Sequence, residues 1–250
     1  MHPQDLEPDT EAFLLRLSPD LAREWRGATA DEIDAIERLA GRPLPRFYRW
    51  FLLRMGHSMG PLTYATLDFS APTILHCHAA GLFSPNPRIL MIGHDSHEIM
   101  PLHVHYDLDA ATRDDALILA SQGDGDEFVR ESETFREMIA RGCLSQYRVR
   151  NALQRCSGLL RDRDDDVLAR LSPVMTSLGF TTPVPTGAHG GLYEGPREAM
   201  LTTAPLDAAP AVHYFTLAGA DAGRLRRLLG EIVATTALSL TIDEWDPPLA

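Results

Sequence analysis

The chain has 250 residues, which allows one large domain or two ordinary ones at about 150 residues per domain. Hydrophobic residues make up 44% of it, yet no apolar run reaches the length of about 18 residues that a transmembrane helix needs. The net charge is −12, and every basic residue is an arginine. Because nucleic acids and membranes are anionic, we expect neither as a partner, whereas a basic protein would be attracted.

The N-terminal sequence MHPQDLEPDTE is acidic and polar, without the basic start and apolar stretch of a secretory signal. The cytoplasm is therefore the expected compartment. The three cysteines, Cys77, Cys143 and Cys156, are odd in number and lack C-x-x-C spacing. We expect them to be small buried residues in a reducing compartment and not a disulfide framework.

The first half of the chain begins with helical patterns. Residues 11–27 predict one or two short helices broken at Ser18-Pro19. Thr29 and Glu32 have the spacing of a capping box, and the helix that they start is predicted to end at Gly41. A second helix is predicted from Pro45 to Gly56; its apolar face carries Phe47, Tyr48, Phe51, Leu52 and Met55.

Short strands follow the two helices. The mixed residues 61–86 give no clear element, after which strands are predicted at 88–92, 99–108 and 116–120, and a closing helix at 132–142. The strands are too close together for helical crossovers, so they must be antiparallel. The fold class predicted for the first half is therefore α+β, an antiparallel sheet packed with helices.

The second half predicts another small α+β module. Residues 143–162 are interpreted as a helical, polar connector. The elements expected after it follow the order α-β-β-β-α-β: a helix at 163–180, short strands within 183–204, a strand at 211–217, a helix at 220–235 and a strand at 237–242. The last β-α-β unit could place two parallel strands side by side. The predicted domains are residues 1–145 and 146–250.

Histidines provide the main argument for an enzyme. The chain lacks the glycine-rich and serine-containing motifs of nucleotide-binding and α/β-hydrolase sites. His76 and His78, like His103 and His105, are two residues apart, and on strands each pair would point to one face. Two such pairs could converge on zinc. Ordinary polar or half-buried strand residues explain the same spacing, so we expect no metal, no other cofactor and no enzymatic activity.

One segment resembles a known family. In the sequence Leu44-Pro45-Arg46-Phe47-Tyr48-Arg49-Trp50-Phe51-Leu52-Leu53-Arg54-Met55-Gly56, six residues match the signature of SUKH (Smi/Knr-like) domains. These residues are Leu44, Pro45, Tyr48, Phe51, Leu52 and Gly56. Met55 replaces the usual Asn; since Asn and Gly both tolerate the left-handed conformation at a helix end, Gly56 alone is left to stop the helix. The resemblance covers roughly residues 29–140 and leaves the second half without a family.

The resemblance implies a non-catalytic binding domain. Bacterial members are mostly immunity proteins that neutralise polymorphic or contact-delivered toxins, many of them basic nucleases. Residues 94–137 fit such a partner, because they contain twelve acids against three arginines, a net charge of −9. The residues that we expect to bind the cognate toxin are Asp95, Glu98, Asp107, Asp124, Asp126 and Glu127.

Two other functions are compatible with the sequence. One is a metal-dependent enzyme that uses the clustered histidines, and the other is a regulatory scaffold without a toxin partner. The concentrated acidity of residues 94–137 also has an ordinary explanation in solubility.

Overall fold

The computed structural model has an α+β fold, as the sequence predicts. It describes residues 6–83, 86–112, 114–122, 127–163, 166–205 and 211–248. The chain forms two compact units, Met1–Met138 and Ile139–Ala250. The division falls within a helix, Phe135–Leu144, close to the domain boundary expected after residue 145. Among the described residues, none of the helices combines the length and the apolar character needed to cross a membrane.

The helices of the first unit follow local signals in the sequence. They are α1 (Pro8–Leu17), α2 (Leu21–Glu24), α3 (Ala30–Ala40), α4 (Arg46–Met55), α5 (Ala71–Ala79) and the start of α6 (Phe135–Leu144). The predicted capping box is confirmed: the Thr29 side chain accepts a hydrogen bond from the Glu32 amide, and the Glu32 carboxylate accepts one from the Thr29 amide. Gly41 ends α3 in the left-handed conformation.

A five-stranded antiparallel sheet forms the centre of the first unit. Its strands are β3 (Leu67–Asp68), β4 (Ile89–Asp95), β5 (Leu102–Thr112), β6 (Asp115–Gln122) and β7 (Phe128–Ser132), in this spatial order. A short ladder joins β1 (Trp25–Arg26) to β2 (Ser58–Met59). The three predicted strands correspond to β4, β5 and β6, but β5 begins at Leu102 and not at Ile99, so Ile99 and Met100 belong to the preceding loop.

Aromatic side chains bind the helices to one face of this sheet. Phe51 of α4 lies 4.9 Å from Phe135 of α6, measured between ring centroids, and Tyr48 lies 5.2 Å from Tyr106 of β5. All four rings are fully buried. Edge-to-face pairs of this kind add to the hydrophobic gain of burial. The aromatic residues of the Leu44–Gly56 segment therefore determine packing within the core.

Gly56 has a different role from the one expected. It ends α4 as predicted, but its φ of −63° is right-handed and not left-handed. A Cβ at this position would lie 2.5 Å from the Leu52 carbonyl oxygen and 2.8 Å from the Ala28 Cβ. Glycine is required because the chain around Ala28 crosses the end of α4, where the Ala28 amide donates to the Leu52 carbonyl at 2.8 Å.

Residues 61–86 contain a helix that sequence reasoning did not find. Helix α5 carries both His76 and His78. Residues two positions apart on a helix are separated by about 200° of rotation around its axis. The two histidines therefore do not share a face, as they would on a strand. Instead, α5 places Ile74 and Cys77 against Met91 of β4, on the sheet face opposite to the aromatic core.

The second unit is built on another five-stranded antiparallel sheet. Its strands are β8 (Gln154–Arg161), β9 (Gly190–Glu194), β10 (Ala199–Thr203), β11 (Val212–Gly219) and β12 (Ser239–Asp246); the spatial order is β12-β8-β11-β10-β9. Helices α7 (Val167–Ser177) and α8 (Ala222–Thr236) pack on it, and a π-helical turn, Ser145–Val149, precedes it. The predicted α-β-β-β-α-β order is confirmed from α7 to β12.

Two expectations for the second unit are wrong. Only the start of the supposed helical connector is helical, and its last part is strand β8, which pairs with both β11 and β12. As a result, β11 and β12 are parallel but are not neighbours, because β8 lies between them. The inserted strand converts the expected parallel pair into two antiparallel pairs.

The core of the second unit includes an unusual polar residue. His213 of β11 is fully buried, and within the described residues neither of its ring nitrogens has a hydrogen-bond partner. Burial, helped by the nearby His189, lowers the pKa of His213 to about 4. The Ala188 backbone acts on this pKa in the opposite sense, without reaching hydrogen-bond geometry. His213 is therefore a neutral group within the core at neutral pH.

Candidate partner-binding surface

At one end of the first sheet, the loop that precedes β5 lies near the residue that precedes β7. The first residue of β5, Leu102, is in register with Gln122, the last residue of β6, and Ser121 is in register with Phe128 of β7. The loop 96–101, between β4 and β5, therefore lies at the same end of the sheet as Glu127, which precedes β7. We call loop 96–101 together with Glu127 the acidic end of the sheet.

Asp95 closes the base of loop 96–101. Its carboxylate accepts hydrogen bonds from the His97 amide at 2.9 Å and from the Leu102 amide at 2.8 Å. These bonds connect the last residue of β4 to both ends of the loop. Burial of Asp95 raises the pKa of its carboxyl group, but the amide hydrogen bonds and a bond from the Thr66 side chain outweigh it, so the pKa is lowered overall.

Further hydrogen bonds hold the loop. The Ser96 amide and hydroxyl both donate to the Thr66 carbonyl oxygen, at 3.0 Å and 3.1 Å. Within the loop, Nδ1 of His97 accepts a hydrogen bond from the Met100 amide at 3.1 Å. Together with Asp95, these contacts give the loop one defined conformation.

The side chains at the tip of this loop are turned outward. Ile99 is 83% exposed and Met100 is 59% exposed. Glu98, which precedes them, is also exposed, as is Glu127 across the end of the sheet. Apolar and acidic side chains thus stand together on a loop that is held by hydrogen bonds.

The six residues predicted to bind a partner do not form one surface. Glu98 and Glu127 are exposed at the acidic end of the sheet, whereas Asp95 is buried beneath it. Asp107 lies five residues along β5 from Leu102, a distance of about 17 Å at the usual rise of a strand. Asp124 and Asp126 lie outside the described residues.

The carboxylate of Asp107 is already bound by an arginine of the same unit. It is buried, and the guanidinium of Arg88 binds its two carboxylate oxygens at 3.0 Å and 2.6 Å. The hydrogen bond from Arg88 lowers the pKa of this carboxyl group, although burial opposes the change. Asp107 therefore joins the start of β4 to β5 and presents no free charge to a partner.

The exposed charge of residues 94–137 is smaller than its sequence count. Of the acids described there, Asp95, Asp107, Asp115 and Glu137 are buried. Three more form ion pairs: Asp109 with Arg42, Asp114 with Arg46 and Glu133 with Arg130. Glu131 is exposed but also engaged with a partner. The free carboxylates among those described are then Glu98 and Glu127, so the sequence count overstates the charge available to a partner.

The histidines do not assemble a metal centre in the part of the chain that is described. No group of three or more His, Cys, Asp or Glu side chains there has the arrangement to hold a metal ion. His103 and His105 share a face of β5 as predicted, but both are buried in other contacts. Nδ1 of His103 accepts from the Asp95 amide at 3.1 Å, and Nε2 of His105 lies 2.8 Å from the Ser121 hydroxyl. Burial, with smaller effects of His103 and His78, lowers the pKa of His105 to about 3.

Sequence reasoning also overlooked an open cleft beside α3. This cleft has a volume of about 790 Å³, and its charged lining residues are the acids Asp31, Asp34 and Glu37 and the arginines Arg38 and Arg42. The spacing of three residues places these acids along one side of the helix, which is the signal that could have indicated it. Glu37 is engaged with Arg49 at 3.2 Å, which leaves Asp31 and Asp34 as the open carboxylates of the cleft.

In comparisons with known proteins, no family model, no curated protein and no solved structure matches this chain.

Proposed function

We propose that this chain is a non-catalytic binding protein of the SUKH type, an immunity protein that neutralises a bacterial toxin by direct contact. The single observation that carries the proposal is the acidic end of the sheet, where Glu98 and Glu127 stand exposed beside an apolar loop tip. Free carboxylates around an apolar centre complement a basic protein surface. A toxin that acts on nucleic acids has such a surface, because it must bind phosphates.

The packing of the family-like segment supports the same proposal. Tyr48 and Phe51 belong to the aromatic core between helix α4 and the sheet, in contact with Tyr106 and Phe135. Residues at such positions maintain a fold and do not contact partners. A binding role then falls to the loops at the end of the sheet.

Co-expression tests the proposal directly. The probe is the product of the gene adjacent to this one in its native genome, produced in a bacterial host under an inducible promoter. We expect that product to arrest growth when expressed alone, and the wild-type chain to restore growth and co-purify with it at equal stoichiometry. Growth arrest that persists despite soluble wild-type chain, with no complex on size-exclusion chromatography, would overturn the proposal.

A further inference from the structure

The tip of loop 96–101 has an exposed apolar surface that the fold does not use. Ile99, at 83%, has the largest exposed fraction among the exposed large apolar side chains of the described residues, and its neighbour Met100 is 59% exposed. Leu102, at the end of the same loop, is also exposed. Single exposed apolar residues are common, but adjacent ones within a polar rim are typical of interaction sites.

The hydrogen bonds of this loop make the apolar pair suitable as an anchor. Asp95 ties both ends of the loop, Ser96 is joined to Thr66, and His97 binds the Met100 amide. A loop already held in one conformation loses little entropy when it binds a partner. Ile99 and Met100 are therefore preorganised for binding, and the partner does not need to order the loop.

We propose that Ile99 and Met100 form an apolar anchor that enters a pocket on the basic partner, with Glu98 and Glu127 pairing with cationic side chains at the rim. This inference rests on the proposed function and identifies the partner's complementary surface as an apolar pocket surrounded by Arg or Lys. The charge favours this occupant over a second copy of the chain, because two acidic ends would repel each other.

Binding kinetics with the purified product of the adjacent gene test the anchor. We expect Ile99→Ala and Met100→Ala each to accelerate dissociation by about tenfold or more, which corresponds to a loss of about 1.4 kcal/mol or more of binding free energy when an apolar anchor is truncated. Association should change by less than about threefold, since steering depends on charge. The melting temperature should stay at its wild-type value, because both side chains are exposed.

A matched control is Leu153→Ala in the second unit, where Leu153 is 72% exposed. It should leave both rate constants unchanged. If the wild-type chain binds but the Ile99 and Met100 variants dissociate at the wild-type rate, the anchor is wrong while the proposed function stands. If the wild-type chain does not bind, both fail. A dimer on sedimentation that is lost in Ile99→Ala would assign the tip to self-association and overturn the anchor as well.

Discussion

Buried carboxylates in the first unit acquire opposite pKa shifts from similar surroundings. Asp95 and Asp115 are both buried and both accept backbone hydrogen bonds. At Asp115 desolvation dominates and raises the pKa to about 6, despite bonds from the Tyr106 hydroxyl and the Arg136 amide. At Asp95 the hydrogen bonds dominate and lower the pKa. The pKa of a buried carboxyl group in this segment therefore depends on its own balance of desolvation and hydrogen bonds, and the acidic residues are not interchangeable.

The positioning role of Asp95 can be tested by removing its carboxylate. We expect Asp95→Ala to lower the free energy of unfolding by about 1 to 3 kcal/mol, because the His97 and Leu102 amides lose a charged acceptor. Amide hydrogen exchange of His97 and Leu102 should accelerate in the same variant. Glu98→Ala is the control, since Glu98 is exposed in the same loop. Equal exchange rates in Asp95→Ala and the wild type would refute the role.

The buried His213 predicts a pH dependence for the second unit. Its pKa of about 4 in the folded state lies below the value of 6.5 in the unfolded chain, so the unfolded state binds more protons between these values. The stability contributed by neutral His213 is complete above pH 6.5 and is lost as the pH falls towards 4, by about 3 kcal/mol in total. The loss of unfolding free energy can be measured by denaturant unfolding at several pH values across this range. Amide hydrogen exchange of β11 then shows whether the loss is located in the second unit.

His213→Leu isolates this contribution from those of other histidines. The variant replaces an unpartnered polar ring with an apolar side chain and removes the titrating group, so its stability should depend less steeply on pH. The difference between wild type and variant should grow as the pH falls below 6.5. A constant difference from pH 7 to pH 4 would show that His213 does not titrate as expected.

At the scale of elements, glycines with different surroundings should respond oppositely to the same substitution. Gly56→Ala places a Cβ 2.5 Å from the Leu52 carbonyl oxygen, so we expect a loss of about 1 to 3 kcal/mol of stability. Gly230 lies in the interior of α8 with open space around it. Gly230→Ala should therefore increase stability by about 0.5 to 1 kcal/mol. Chemical denaturation of both variants checks the signs, and a loss in both would refute this explanation.

Sequence patterns predicted the elements that local residues determine. The capping box at Thr29, the end of α3 at Gly41 and helix α4 could all be read from spacing alone. Strand β8 was missed because its buried positions include Cys156 and Gly158, whose small side chains give no strong apolar alternation. Gly158 is needed there, since a Cβ would lie 1.9 Å from the Thr241 carbonyl oxygen of β12. That requirement arises from a long-range contact and leaves no local signal.

The candidate surface could be predicted only in part for the same reason. Sequence spacing located the acids of residues 94–137 but could not separate Glu98, which is exposed, from Asp95 and Asp107, which are buried. Their burial depends on partners elsewhere, such as Arg88 for Asp107. Ile99 and Met100 were assigned to a strand, because apolar residues beside a strand continue its pattern. Their exposure follows from the hydrogen bonds that the side chains of Asp95 and His97 accept from backbone amides of the loop. These bonds keep residues 96–101 out of the β4–β5 ladder.

At the scale of the whole molecule, charge is divided unequally between the two units. Residues 1–138 hold 23 acids and 12 arginines, a net charge of −11, whereas residues 139–250 hold 12 acids and 11 arginines, a net charge of −1. A field of this kind attracts a basic partner to the first unit before any contact forms. The proposed function therefore predicts that association depends on where a charge is placed, and not only on the total.

Two double variants with the same change in net charge test this dependence. Glu98→Lys with Glu127→Lys reverses the free carboxylates at the acidic end of the sheet, and Glu231→Lys with Asp243→Lys reverses exposed acids of the second unit. We expect the first pair to slow association with the adjacent gene's product by about three- to tenfold at low salt, and the second to change it by less than about twofold. The difference should shrink at 0.5 M salt, where charges are screened over a few ångströms. Equal slowing by both pairs would mean that total charge alone governs association, and that the acidic end of the sheet is not where the partner binds.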